Sequence, residues 1–219
     1  MARTPRAKPA APKLTTVLLV RHGQTATTGK VLPGRARGLH LADTGREQAQ
    51  RAATRIAELP AVAAVYCSPL ERTRETAAPI AAARGLKAVP VKGLLEADFG
   101  EWTGAELKSL FKLPEWRTVQ QAPSSFRFPG GESFTEMQAR IVTALDELRG
   151  RHPGETIVCV SHADPIKAAV AHAMGTHLDL FQRIVISPCS ISAVAWSPSG
   201  PIALTVNSTG GPLTELVPS

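Results

Sequence analysis

Two arginines and two histidines stand out by where they fall. Arg21 and His22 directly follow the apolar run of residues 16–20, and His162 closes a second run at 156–161. Arg72 lies one turn into a helical pattern that follows a third run, 62–67, and Glu96 sits in the loop after a fourth, 87–91. Guanidinium groups grip a dianion through forked, charge-assisted hydrogen bonds, and imidazoles add donors. A pocket gathering these side chains would suit a phosphate group.

Other phosphate chemistries leave different marks. Residues 23–30 nearly imitate a P-loop, but five residues separate Gly23 from Gly29 and Val31 stands where a Mg²⁺-binding Ser or Thr belongs. Cys67 precedes Arg72 at the wrong spacing for a thiolate C-x5-R loop, and no paired aspartates follow a strand as nucleophile and metal clamp. His162, His172 and His177 match no H-E-x-x-H pattern, and His172 falls on the polar side of its helix. No metal and no cofactor are expected. Taken singly, Arg72 could pair with Glu71 or Glu75 on a helix surface, His162 could be a core histidine, and Glu96 a solvated loop charge.

The elements that must position these residues alternate. The runs at 16–20, 62–67 and 156–160 predict buried strands, and 87–91 a third in chain order. Three S/T-x-x-E patterns, at Thr44, Ser68 and Ser133, predict capping boxes that open helices, the second with Pro69 at its first position. After Ser133, apolar residues recur at Phe134, Met137, Ile141, Leu145 and Leu148, giving the clearest amphipathic helix. A further helix opens at Asp164-Pro165 with Ile166, Ala169, Val170, Ala173 and Met174 on one stripe, and Asp164 reads as its N-cap. Residues 190–196 and 202–206 read as a closing hairpin. Strands alternating with helices predict an α/β three-layer sandwich with a mostly parallel sheet, in which ligands bind beyond the carboxyl ends of the strands. Residues 15–219 form one domain on this reading, with 105–130 as an irregular cap or flap.

Composition sets the outer bounds. The 219 residues carry 25 Lys+Arg against 18 Asp+Glu, a net charge of +7, but Arg3, Arg6, Lys8 and Lys13 hold four of these charges. With Pro5, Pro9 and Pro12 among them, residues 1–14 read as a disordered basic tail without the apolar segment of a secretory signal. Aromatic residues make up 5% and do not alternate with basic ones, so a base-stacking groove and a nucleic-acid partner are not expected. No run reaches the roughly 18 apolar residues of a membrane span. Cys67, Cys159 and Cys189 are odd in number and lie in apolar contexts, which fits a reducing compartment and predicts a cytoplasmic protein.

Residues 18–25 (LLVRHGQT), 68–73 (SPLERT), 95–104 (LEADFGEWTG) and 160–162 (VSH) resemble, in order, the four motif blocks of the histidine phosphatase superfamily, the phosphoglycerate-mutase-like fold. Residues 128–133 (FPGGES) and 179–183 (DLFQR) further resemble an actinobacterial-type branch of phosphomutases or phosphatases. The resemblance implies that His22 is the nucleophile forming a phosphohistidine, that Arg21, Arg72 and His162 hold the phosphoryl group, and that Glu96 is the proton donor. The substrate it implies is a small phosphorylated molecule. The chemistry is self-consistent. Fixed donors face the oxygens that gain charge in the transition state, so no Mg²⁺ is needed, and nearby positive charge keeps the imidazole unprotonated. One carboxyl can protonate the leaving alkoxide and then take a proton from the attacking water.

Two positions depart from the family pattern. Thr28 stands where an asparagine commonly contacts phosphate, and Ala163 where glycine commonly follows the second histidine. With Gln24 these complete the expected phosphate-binding set, and the departures open an alternative, a weakly active phosphate-ligand binding or regulatory protein. Asp164 could also serve as another proton donor. The E-x-x-F-G-x-W-x-G pattern around Glu96 looks more like the phosphatase branches than the mutase loop, so hydrolysis is expected over a phosphomutase. Oligomeric state and natural substrate have no sequence signal.

Overall fold

A computed structural model describes residues 14–210. The reading of the N-terminal stretch as a basic tail therefore falls outside the described residues, apart from Leu14. Six strands build one sheet: β1 (Thr15–Arg21), β2 (Ala64–Cys67), β3 (Ala88–Pro90), β4 (Thr156–Ser161), β5 (Ile191–Ser197) and β6 (Gly200–Ser208). Their order is β3-β2-β4-β1-β5-β6. The first four run parallel, β5 pairs antiparallel with β1, and β6 pairs antiparallel with β5, closing one edge as the expected hairpin. The helices are α1 (Asp43–Ala57), α2 (Glu71–Ala82), α3 (Leu107–Leu110), α4 (Pro114–Gln121), α5 (Phe134–Gly150) and α6 (Ala163–Ala173).

The period of two in β1 separates the layers. Leu18 and Val20 pack with Ala53 and Ile56 of α1 and Ala77 and Ile80 of α2. Val17 and Leu19 face the other way, into a core with Met137 and Ile141 of α5 and Ile166 and Val170 of α6. A strand covered on both faces has no polar side to show, which is why it reads as an unbroken apolar run. Each such side chain contributes about 1.5–3 kcal/mol on burial.

Only one of the three capping boxes forms. Ser133 Oγ accepts the Glu136 N–H at 3.2 Å, and the Glu136 carboxylate accepts the Ser133 N–H at 2.9 Å. Helix α1 instead begins two residues earlier, with Ala42 as N-cap, and puts Thr44 inside its first turn. Helix α2 begins at Glu71 after Leu70, and the Ser68 hydroxyl turns away to His162. Asp164 likewise lies within the first turn of α6, whose N-cap is His162. In α6 the stripe of Ile166, Ala169 and Val170 is buried, but Met174 lies beyond the helix end and is exposed.

Between β3 and α5, residues 105–130 contain α3, α4 and a short 3₁₀ turn. Backbone bonds tie this segment to the loop after β1: Leu32 N–H donates to the Ala105 carbonyl at 2.9 Å, and Leu107 N–H to that of Lys30 at 2.9 Å. A chain of ring contacts through Trp116, Trp102, Phe126, Phe128, Phe134 and Phe181 anchors it to α5.

Candidate active site

Strand register brings the candidate residues together. Arg21 pairs with Ser161 across β1 and β4, so the next residue of each strand, His22 and His162, emerge side by side. Their rings meet edge to face with centroids 5.2 Å apart. Cys67 pairs with Val160, and one residue further on the Ser68 hydroxyl reaches His162 Nε2 at 2.9 Å. Arg72 reaches in from the first turn of α2, and Glu96 from the loop after β3. Arg72 and His162 are fully buried, and His22 and Glu96 nearly so.

Hydrogen bonds orient each group. The Nδ1 of His22 lies 2.8 Å from the Gly23 carbonyl, which can only accept, so Nδ1 carries the proton and Nε2 presents its lone pair. Arg72 Nη2 donates to the Gly34 carbonyl at 2.7 Å, and Arg21 Nη1 to that of Ile186 at 2.7 Å. Four buried nitrogens have no hydrogen-bond partner among the described residues: Arg21 Nε, Arg72 Nε and Nη1, and His162 Nδ1. Buried donors are rarely left so, and three side chains of one site leaving them together marks a place made for an anion.

Electrostatics follow from burial. Desolvation first, then the charges of Arg72 and Arg21, hold His22 well below the ordinary histidine value and so neutral. The same causes act on His162, joined by His22 itself. Burial pushes Glu96 up to about 7; Asp164 adds to this, while the Ala97 N–H, donating to its carboxylate at 3.0 Å, opposes it. Glu96 is therefore near the midpoint of titration at neutral pH, where a group that must both give and take a proton is most useful.

The remaining expected residues divide. Ala163 opens α6, placing its backbone at the helix N-terminus beside His162, an end that favours anions. Gln24 is exposed, and the bonds it shows are backbone ones, to the Gln48 side chain and to Ala42. Thr28 Oγ1 accepts the Thr25 N–H at 2.9 Å and pairs with Thr25 Oγ1 at 3.0 Å, closing a turn. Asp164 is paired with Lys167 at 3.4 Å.

Several residues that shape the site have no reading in the motifs above. Glu132 bridges Arg35 at 2.9 Å and Arg140 at 2.8 Å. Arg35 Nε donates to the Glu96 carbonyl at 2.9 Å, and Arg140 Nη1 to the carbonyls of Gly93 and Leu95, both at 2.9 Å. This clamp fixes the backbone on which Glu96 stands. Its signal is the glycine before Glu132, since a Cβ on Gly131 would lie 2.3 Å from the Asp98 carbonyl oxygen. Gly23 answers a similar demand: a Cβ there would stand 2.5 Å from the Gly45 carbonyl oxygen, and its N–H donates to Thr76 Oγ1 at 3.0 Å.

A parallel sheet whose strand ends deliver two histidines and two arginines to one buried spot defines a class. Residues 17–209 match the model of the histidine phosphatase superfamily, branch 1. The chain is 31% identical over 198 residues to phosphoserine phosphatase 1 of Hydrogenobacter thermophilus, covering 88% of this chain and 92% of that protein. A Mycobacterium tuberculosis relative, bifunctional protein Rv2228c, is 32% identical over 204 residues, 90% of this chain but 54% of its own length, so the chain spans about half of it. The fold is also that of a mycobacterial glucosyl-3-phosphoglycerate phosphatase, with a TM-score of 0.80 at 21% identity, over 89% of this chain and 99% of that one. The chain belongs to the histidine phosphatase superfamily. Phosphomonoester hydrolysis through a phosphohistidine, the activity expected from the four motif blocks, is the chemistry of this class. Among the described residues no helix is long and apolar enough to cross a membrane.

Proposed function

We propose that the chain hydrolyses a small phosphate monoester with His22 as nucleophile. Nε2 of His22 attacks phosphorus, the ester P–O bond breaks, and Glu96 gives its proton to the departing alkoxide. Water then attacks the phosphohistidine, Glu96 takes back a proton, and phosphate leaves with His22 restored. Arg21 and Arg72 balance the charge gathering on the phosphoryl oxygens, and His162 completes the ring of contacts. The observation carrying this reading is the bare Nε2 of His22 beside the unpartnered buried nitrogens of Arg21, Arg72 and His162.

Hydrolysis is favoured over phosphoryl return to a bound acceptor because the Hydrogenobacter thermophilus relative is named a phosphatase. Its name makes phosphoserine the first substrate to try. On this reading the chain keeps one domain over 15–219 with 105–130 as its cap, and the bonds from that segment to the loop whose Gly34 carbonyl receives Arg72 support it. Three buried free thiols, Cys67, Cys159 and Cys189, fit a cytoplasmic setting.

Purified protein should release phosphate from p-nitrophenyl phosphate and from phosphoserine with EDTA present. His22→Ala should abolish release while leaving the circular dichroism spectrum intact. An active alanine variant would overturn the mechanism, and tight phosphate binding without turnover would return the chain to a binding role.

A further inference from the structure

Ser68 caps no helix, yet its hydroxyl is fully buried. Its backbone is pinned independently: Ser68 N–H donates to the Val160 carbonyl at 2.9 Å, and its carbonyl accepts Thr73 Oγ1 at 2.8 Å. The hydroxyl makes one bond among the described residues, 2.9 Å to Nε2 of His162. His162 is buried beside two guanidinium groups and is neutral, so its ring carries a single proton.

Two arrangements are then possible. If Nε2–H donates to Ser68 Oγ, the serine proton is buried with no acceptor, and Nδ1 turns a bare lone pair toward the anion site. A buried donor without a partner costs about 1–3 kcal/mol. If Ser68 Oγ–H donates to Nε2, the serine proton is used and Nδ1 carries hydrogen. That N–H then joins those of Arg21 and Arg72 among the buried nitrogens lacking a partner among the described residues.

We propose that Ser68 is a positioning residue that holds His162 in the Nδ1-protonated tautomer, making that nitrogen a hydrogen-bond donor to the phosphoryl group. This rests on the reading of the site as a phosphoryl pocket. The two histidines then share one tautomer for opposite purposes. The Gly23 carbonyl draws the proton of His22 to Nδ1 and bares Nε2 for attack. The Ser68 hydroxyl occupies Nε2 of His162 and turns Nδ1 into a donor.

The tautomer can be read in the resting protein, without turnover. Long-range ¹⁵N–¹H correlation spectra of the full chain labelled at histidine, assigned with His162→Gln, should show His162 protonated at Nδ1. In Ser68→Ala the proton should move to Nε2, and kcat/KM on p-nitrophenyl phosphate should fall by about tenfold or more, in line with loss of one fixed donor. Ser68→Thr, which keeps the hydroxyl, should restore the Nδ1–H signal and part of the rate. Titrating inorganic phosphate into the wild type should shift the Nδ1 proton resonance. A wild-type His162 protonated at Nε2, or a Ser68→Ala variant whose His162 stays protonated at Nδ1, would overturn the proposal. Persistent activity of His22→Ala would instead strike only the nucleophile assignment, because the spectra do not depend on turnover.

Discussion

Replacing Glu96 with glutamine should shift stability relative to the wild type increasingly in the variant's favour as pH rises. The carboxyl is 7% exposed, and burial lifts it from an ordinary 4.5 to about 7. Between those values the folded chain holds a proton that the unfolded chain has released, so stability falls as pH rises and levels off above about 7. At about 1.4 kcal/mol for each tenfold in proton affinity, the wild type loses about 3 kcal/mol over this window. Glutamine is neutral at every pH and close in shape, so it escapes this loss. Its amide brings its own hydrogen-bonding cost, which does not vary with pH; the slope, not the offset, carries the test. Urea denaturation at pH 5, 6.5 and 8 should show the variant's advantage growing by about 2 to 3 kcal/mol, on the order of 4 to 12 °C in Tm. A difference that stays flat across these pH values would show that Glu96 is not held protonated by burial, and would remove the physical basis for its role as acid.

Three further outcomes follow from the same geometry. For an alkyl phosphate, kcat/KM should decline above about pH 7 as Glu96 loses its proton, and this limb should vanish in Glu96→Gln, whereas a nitrophenyl ester, whose leaving group needs no proton, should show little of it; identical pH profiles for the two esters would contradict the assignment. Arg72→Lys keeps the charge but loses the planar fork anchored on Gly34, so turnover should drop at least about tenfold in steady-state assays, and an unchanged rate would place Arg72 outside the reaction. Gly23→Ala drives a Cβ into the Gly45 carbonyl, which as backbone cannot swing aside, so it should cost about 1–3 kcal/mol in urea denaturation and reduce turnover with it; wild-type stability would refute the contact.

The parts of the fold legible in the sequence are those set by one strong, local signal. Residues 17–20 and 157–160 are apolar without interruption because helices cover both faces of β1 and β4, and the Ser133 box works because both of its partners lie within one turn. The Thr44 and Ser68 boxes have the same letters and fail for non-local reasons. The backbone at Gly45 packs against Gly23 and Gln24, and the Ser68 hydroxyl meets His162, which is distant in sequence but adjacent through strand register. At the site the same division holds. Arg21, His22, Arg72, Glu96 and His162 could be picked out because each follows an apolar run or opens a helix. Arg35 and Arg140 act through backbone carbonyls of a loop far along the chain, with Glu132 bridging the two guanidinium groups, and no spacing rule announces that. The turn that Thr28 closes with Thr25 is likewise unannounced by the motif that it follows.

The ion pairs of the support are made apart from the guanidinium groups of the pocket, and that division explains how a cluster of buried cations survives. With Glu96 near 7 and both histidines neutral, Arg21 and Arg72 share one low-dielectric spot with no fully ionised carboxylate bonded to either guanidinium among the hydrogen bonds described. Backbone carbonyls of Ile186 and Gly34 satisfy one nitrogen of each and orient the rest. The ion pairs that do form, Glu132 with Arg35 and Arg140, are spent on the loop beneath Glu96 and leave the positive field of the pocket uncancelled. Direct salt bridges to Arg21 and Arg72 would stabilise the resting protein and also compete with any phosphoryl group for the same nitrogens. The sheet core, covered on both faces, supplies the stability that such a pocket gives up, so the donors can stay aimed at charge that develops only during reaction.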